Sequence, residues 1–131
     1  LEDRIETLIS EARAASKLAQ APYSNFKVGA ALSTKNHKII RGTNIESSSF
    51  SLTICAERVA LVSALSTGET DFESIAIYAE KAAFCPPCGA CRQLLYDYAP
   101  DLTVILTDGK DYKTYKLKEL LPHAFETSQL K

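Results

Sequence analysis

Apolar positions along the first twenty residues recur at helical spacing. Ile5, Leu8, Ile9, Ala12 and Ala19 fall on one stripe, which predicts an amphipathic helix from Leu1 to Ala21 that Pro22 ends. The pattern then becomes strand-like: Val28 to Thr34 and Lys38 to Ile45 read as a hairpin joined through Lys35, Asn36 and His37. Gly29 and Gly42 leave room for a neighbouring backbone in that pair. Ile54 to Thr67 is apolar nearly all round, with Glu57 and Arg58 its only charges, and predicts a helix buried in the middle of the protein. Ser74 to Ala79 and Leu102 to Thr107 are continuous apolar runs of strand length, as expected for parallel strands covered on both faces, and a helix from Gly89 to Ala99 separates them. Tyr112 to Tyr115 adds an edge strand, and Leu117 to Leu121 a last helical turn before Pro122. The sum is an α/β protein, a three-layer α-β-α sandwich with a mixed sheet.

Composition narrows the picture modestly. The 131 residues are 46% hydrophobic and read as one domain spanning 1–131. Lys plus Arg total 15 against 16 Asp plus Glu, a formal net charge of -1 with no block of one sign. That balance disfavours a nucleic-acid partner, which calls for a basic face, and suits a small neutral substrate. No membrane-length apolar run or signal-peptide pattern is present, and the clustering of the cysteines points to reduced thiolates on a metal, hence a cytoplasmic location.

The cysteines change the picture most. Cys55-Ala56-Glu57 and Pro87-Cys88-Gly89-Ala90-Cys91 together offer three sulfur ligands for zinc and one carboxylate that is not a ligand. Three protein ligands mark a catalytic zinc, which keeps a place for water, whereas a closed structural site uses four. Cys85 complicates this count, because Cys85 to Cys91 contains two overlapping C-x-x-C pairs. Pro86 pushes Cys85 toward an extended conformation, while Cys88 and Cys91 fit the first turn of a helix and face one point. Two other readings stay open: four cysteines closing a structural zinc, and Cys88 with Cys91 as a redox pair.

Both cysteine clusters fall where a helix is predicted to start, so positive dipole ends face the thiolates. Glu57, two residues after Cys55, is placed to take a proton from water and pass it to a substrate ring nitrogen; the plainer alternative is a carboxylate favouring a helix dipole. Arg58 is the candidate to offset the negative charge of three thiolates by hydrogen bonding to them, with a surface salt bridge as its alternative. His37 and His123 sit in turn and post-proline contexts and receive no role.

The segments Cys55-Ala56-Glu57 and Pro87-Cys88-Gly89-Ala90-Cys91-Arg92-Gln93 resemble the small three-cysteine cytidine deaminases of pyrimidine salvage, a branch of the zinc deaminases. Pro22-Tyr23-Ser24-Asn25-Phe26-Lys27-Val28-Gly29-Ala30-Ala31 and Gly42-Thr43-Asn44-Ile45-Glu46 extend the resemblance, which runs from Pro22 to Phe125. It implies hydrolysis of cytidine and 2′-deoxycytidine to uridine and 2′-deoxyuridine with release of ammonia. It also implies one zinc per subunit on Cys55, Cys88 and Cys91, with Glu57 as the proton carrier. In that family Phe26 would pack on the pyrimidine, Asn44 and Glu46 would bind the ribose 3′-hydroxyl, and Ala56 would belong to the substrate-binding set. Leu120-Leu121-Pro122-His123-Ala124-Phe125 resembles the closing segment whose Phe comes from a neighbouring subunit, implying a homotetramer with shared sites. Two departures stand out: Cys85 is an extra thiol, and Ser47-Ser48-Ser49-Phe50 ends on Phe where the family often has Tyr. Rival functions are deamination of another aminated heterocycle, of a nucleoside antibiotic or of cytosine in a polynucleotide, and a zinc-stabilised module without turnover.

Overall fold

The computed structural model describes residues 2–130, so Leu1, where the first helix was expected to begin, lies outside the described residues. Five strands, β1 (Val28–Thr34), β2 (Ile39–Thr43), β3 (Phe72–Ala79), β4 (Thr103–Thr107) and β5 (Tyr112–Lys116), form one sheet in the order β2-β1-β3-β4-β5. Only β3 and β4 run parallel, joined by the crossover helix α3 (Gly89–Tyr98); the other three pairings are antiparallel. The sheet is therefore mixed, as the sequence predicts.

Strand alternation divides the core into two layers. Ala31, Ala76 and Ile105 face α1 (Glu2–Ser16), which lays Ile5, Leu8, Ile9 and Ala12 on that side. Ala30, Leu32, Ile75, Ile77, Val104 and Leu106 point the other way, onto α2 (Ala56–Ser66) and α3. With helices on both faces, the three-layer arrangement is complete, and β1 is buried at every position. The short α4 (Leu117–Leu120) follows β5.

Two glycines set how closely the helices lie on the sheet. A Cβ on Gly29 would fall 2.0 Å from the Ala12 carbonyl oxygen of α1, and one on Gly42 would fall 2.2 Å from the Ala56 carbonyl oxygen at the start of α2. Backbone cannot give way as a flexible side chain does, so these positions require the absence of a side chain.

Tertiary pairing moves several expected boundaries. α1 stops at Ser16 rather than running to Ala21, because Gln20 bridges to Ile45 and the intervening residues close in i→i+3 turns. Ile54 pairs with Ile45 across a short antiparallel bridge, so β2 ends at Thr43 and α2 begins only at Ala56. α2 is also less buried than its composition suggests: Ala56, Ala60 and Ala64 are enclosed, whereas Val62 is 46% exposed.

Candidate metal centre and active site

The antiparallel register of β1 and β3 pairs Val28 with Ala79, which brings the start of β1 and the end of β3 to one edge of the molecule. Both α2 and α3 begin at that edge. Cys55 immediately precedes α2, Cys88 immediately precedes α3, and Cys91 lies in the first turn of α3. Helix starts leave backbone N–H groups unpaired and carry partial positive charge, an environment that favours thiolate over thiol.

The three sulfurs converge within 4.8 Å of one another. Cys55 Sγ lies 3.7 Å from Cys88 Sγ, and Cys88 Sγ lies 3.3 Å from Cys91 Sγ. Thiolates about 2.3 Å from a tetrahedral zinc stand about 3.8 Å apart, so the donor set fits that ion in kind and in spacing. Cys85 does not belong to the cluster; its Sγ is directed 3.8 Å from its neighbour's carbonyl, Pro86 O. Crowding makes the sulfurs unequal as acids. Cys55 is drawn down to about 5, first by hydrogen bonding from Cys91 and to a lesser degree from Cys88 and Arg58. Cys91 moves the opposite way, because its hydrogen bond to Cys55 and its burial both favour the protonated sulfur.

Glu57 sits in the first turn of α2 and is 5% exposed. Burial pushes its carboxyl up to about 7, and the negative charge of Cys55 adds to the shift. Arg58 donates from Nη2 to the Thr53 carbonyl at 3.3 Å, while its buried Nε has no partner among the described residues. Burial works against its charge, but the Cys91, Cys55 and Cys88 sulfurs outweigh burial and hold the guanidinium more firmly protonated than usual.

A cavity of about 220 Å³ opens beside the sulfurs. Phe26, Asn44, Cys55, Ala56, Glu57 and Cys88 all line it. Val28, Thr53, Ile54, Ile77, Cys85 and Pro86, to which the sequence assigned no site role, complete its walls; of these only Cys85 carried a signal, as the extra thiol. A wider cleft of about 390 Å³ between Ile5, Tyr112 and Glu119 holds no thiol and lies away from this chemistry.

Asn44 and Glu46 hold the loop that carries Phe26. Asn44 accepts from Val28 N at 2.9 Å and donates to the Phe26 carbonyl at 2.7 Å. Glu46 accepts from the amides of Tyr23 and Ser24 at 3.0 and 3.1 Å and from the Ser24 hydroxyl; these bonds keep its carboxylate below the usual range. Glu46 does not itself line the cavity. Phe125 is 51% exposed and does not line this chain's own cavity. Phe50 is exposed and meets Tyr23 edge-on at 6.0 Å between ring centres. His37 and His123 are exposed in left-handed turn conformations.

Residues 2–107 match the family described as the cytidine and deoxycytidylate deaminase zinc-binding region. The chain belongs to that family. A cytidine deaminase of Halalkalibacterium halodurans is 45% identical over 127 residues, covering 95% of this chain and 96% of that protein. The solved cytidine deaminase of Burkholderia pseudomallei is 46% identical with a TM-score of 0.88, covering 92% of this chain and 98% of that one. A blasticidin-S deaminase of Bacillus cereus is 40% identical over 104 residues, covering 72% of this chain and 74% of that protein. Membership makes the chain a hydrolytic deaminase and its sulfur cluster a zinc site. No helix among the described residues is long and apolar enough to cross a membrane.

Proposed function

We propose that this protein hydrolyses cytidine and 2′-deoxycytidine to uridine and 2′-deoxyuridine, releasing ammonia, as a cytoplasmic single-domain enzyme of pyrimidine salvage. The observation that carries the proposal is a buried Glu57 carboxyl lining the same cavity as the sulfur cluster, with Phe26 and Asn44 on that cavity's walls. Zinc on Cys55, Cys88 and Cys91 supplies acidification of water beside the substrate.

The chain's own residues supply the rest. Glu57, with a pKa near 7, takes a proton from water and delivers it to the pyrimidine ring nitrogen, then takes a second proton from the hydroxyl added to the ring carbon and delivers it to the departing amine, which leaves as ammonia. Arg58 offsets the charge of the thiolates. Phe26 offers an apolar face to the flat base, and Ala56 adds a small wall that lets the base approach. Asn44 and Glu46 read the ribose hydroxyl, which gives the site grounds to reject a bare base. Phe125 reaches the cavity of a neighbouring subunit in a homotetramer. Support for association comes from Phe50, Leu52 and Ile54, which are exposed at 71%, 67% and 40% on the segment that leads into the cavity wall at Ile54.

Glu57→Gln tests the central claim. The variant retains zinc and fold and loses turnover by at least about 10²-fold, read as loss of cytidine ultraviolet absorbance and release of ammonia. Turnover within a few-fold of the unmodified enzyme removes Glu57 from the proton path. A second reading, deamination of blasticidin S, has the Bacillus cereus relative behind it. The same assay run with cytidine, deoxycytidine, cytosine, a cytosine-containing oligonucleotide and blasticidin S separates the two, with cytidine and deoxycytidine expected to turn over fastest.

A further inference from the structure

The helix that begins at the metal ligands also grips the end of the chain. Arg92 follows Cys91 directly, and its guanidinium serves two backbone carbonyls: Nε donates to Pro87 O at 2.8 Å and Nη1 to Leu120 O at 2.7 Å. The Pro87 carbonyl belongs to the peptide bond that leads into Cys88, so holding it fixes the backbone from which that sulfur projects. Leu120 O lies at the C-terminal end of α4, where a cation is favoured. Among the described residues no carboxylate stands within ion-pair distance of Arg92, so the two carbonyls are the partners that hold its guanidinium.

Gln93 makes a closed pair of bonds with the backbone of Phe125. Its Nε2 donates to Phe125 O at 3.0 Å, and Phe125 N donates to its Oε1 at 3.3 Å. One turn further along α3 the Tyr96 hydroxyl meets the Glu126 carboxylate. Three side chains of one helix therefore hold residues 120 to 126, while the first turn of that helix presents Cys91 and its N-terminal approach presents Cys88.

We propose that Arg92 and Gln93 are positioning residues for the reaction: Arg92 fixes the backbone that presents Cys88 to the metal, and Gln93 fixes the segment that presents Phe125. The proposal rests on the roles given above to Cys88 and Phe125. A lysine at 92 keeps the charge but has a single nitrogen, which does not span two carbonyls as the guanidinium fork does.

The test uses full-length zinc-loaded protein and the variants Arg92→Met, Arg92→Lys, Gln93→Leu and Phe125→Ala, each checked for fold by circular dichroism. Zinc release to a colorimetric chelator and the cytidine KM and kcat are measured. Arg92→Met is expected to release zinc about ten-fold faster, the lower end of the range for residues that support a metal ligand. Arg92→Lys remains several-fold faster than the unmodified protein, and it decides the question if Arg92→Met does not fold. Gln93→Leu keeps the original release rate, raises KM with little change in kcat, and adds nothing when combined with Phe125→Ala. Original zinc release in the folded Arg92 variants overturns the first half. An unchanged KM in Gln93→Leu, alongside a raised KM in Phe125→Ala, overturns the second. An unchanged KM in Phe125→Ala removes the role of Phe125 itself, and the proposal is then decided by zinc release from the Arg92 variants alone.

Discussion

Glu57 is a carboxyl in a place where water is scarce, and its stability cost follows from that. Its pKa stands near 7 in the folded protein against an ordinary 4.5, so the folded state binds the proton more tightly than the unfolded one. Stability from this group is therefore complete below about pH 4.5 and lost as pH rises toward 7. Glu57→Gln removes the loss. In chelator-treated protein, the variant is expected to match the parent near pH 4.5 and to exceed it at pH 8 by at most about 3 kcal/mol, measured by urea unfolding at both pH values. Equal stability at pH 8 contradicts the raised pKa. The placement of Cys55, Cys88 and Cys91 together, with Glu57 beside them, was legible in the sequence from short spacing at two helix starts, two residues from Cys55 to Glu57 and three from Cys88 to Cys91. The partners of Asn44 were not legible: the resemblance implied only a contact to ribose, whereas both ends of that amide bond the backbone of Phe26 and Val28. Arg92 and Gln93 carried no local sign of their partners, which lie 28 and 32 residues away in sequence.

Each helix and strand contributes to the site mainly through where it starts. α2 can place Cys55 and Glu57 because its first turn rests directly on β2 at Gly42, where an added Cβ would lie 2.2 Å from Ala56 O and 2.5 Å from Ala60 N. Gly42→Ala is expected to cost about 3 kcal/mol, seen as a lower urea midpoint with unchanged slope, and to shift the start of α2. Gly89 makes the contrast. It lies between two metal ligands, yet an added Cβ there meets nothing within 4 Å, so Gly89→Ala is expected to stay within about 0.5 kcal/mol. Reversal of that order would mean the helix–sheet contact does not set the position of α2. Element types were readable from hydrophobic period, including the parallel pairing of the two buried runs. Boundaries near the site were not, since the bridges of Ile45 to Gln20 and to Ile54 are long-range pairings that no local pattern announces.

At the scale of the molecule, the site exists because the sheet's topology brings together segments from the N-terminal half and the middle of the chain. Phe26 and Asn44 come from the ends of the hairpin β1–β2, Cys55 and Glu57 from the connection into α2, and Cys88 and Cys91 from the crossover between the parallel strands. No single segment holds a complete constellation. Cys55 and Cys88 are 33 residues apart in sequence yet 3.7 Å apart in space. A divalent ion gripping both finds its site only in the folded chain, so its binding free energy adds to the stability of the fold. Chelation should accordingly lower the melting temperature as well as stop turnover, and calorimetry on loaded and stripped protein reads the difference. The ion that serves the chemistry thus also pins together two helix starts that the chain itself leaves unlinked.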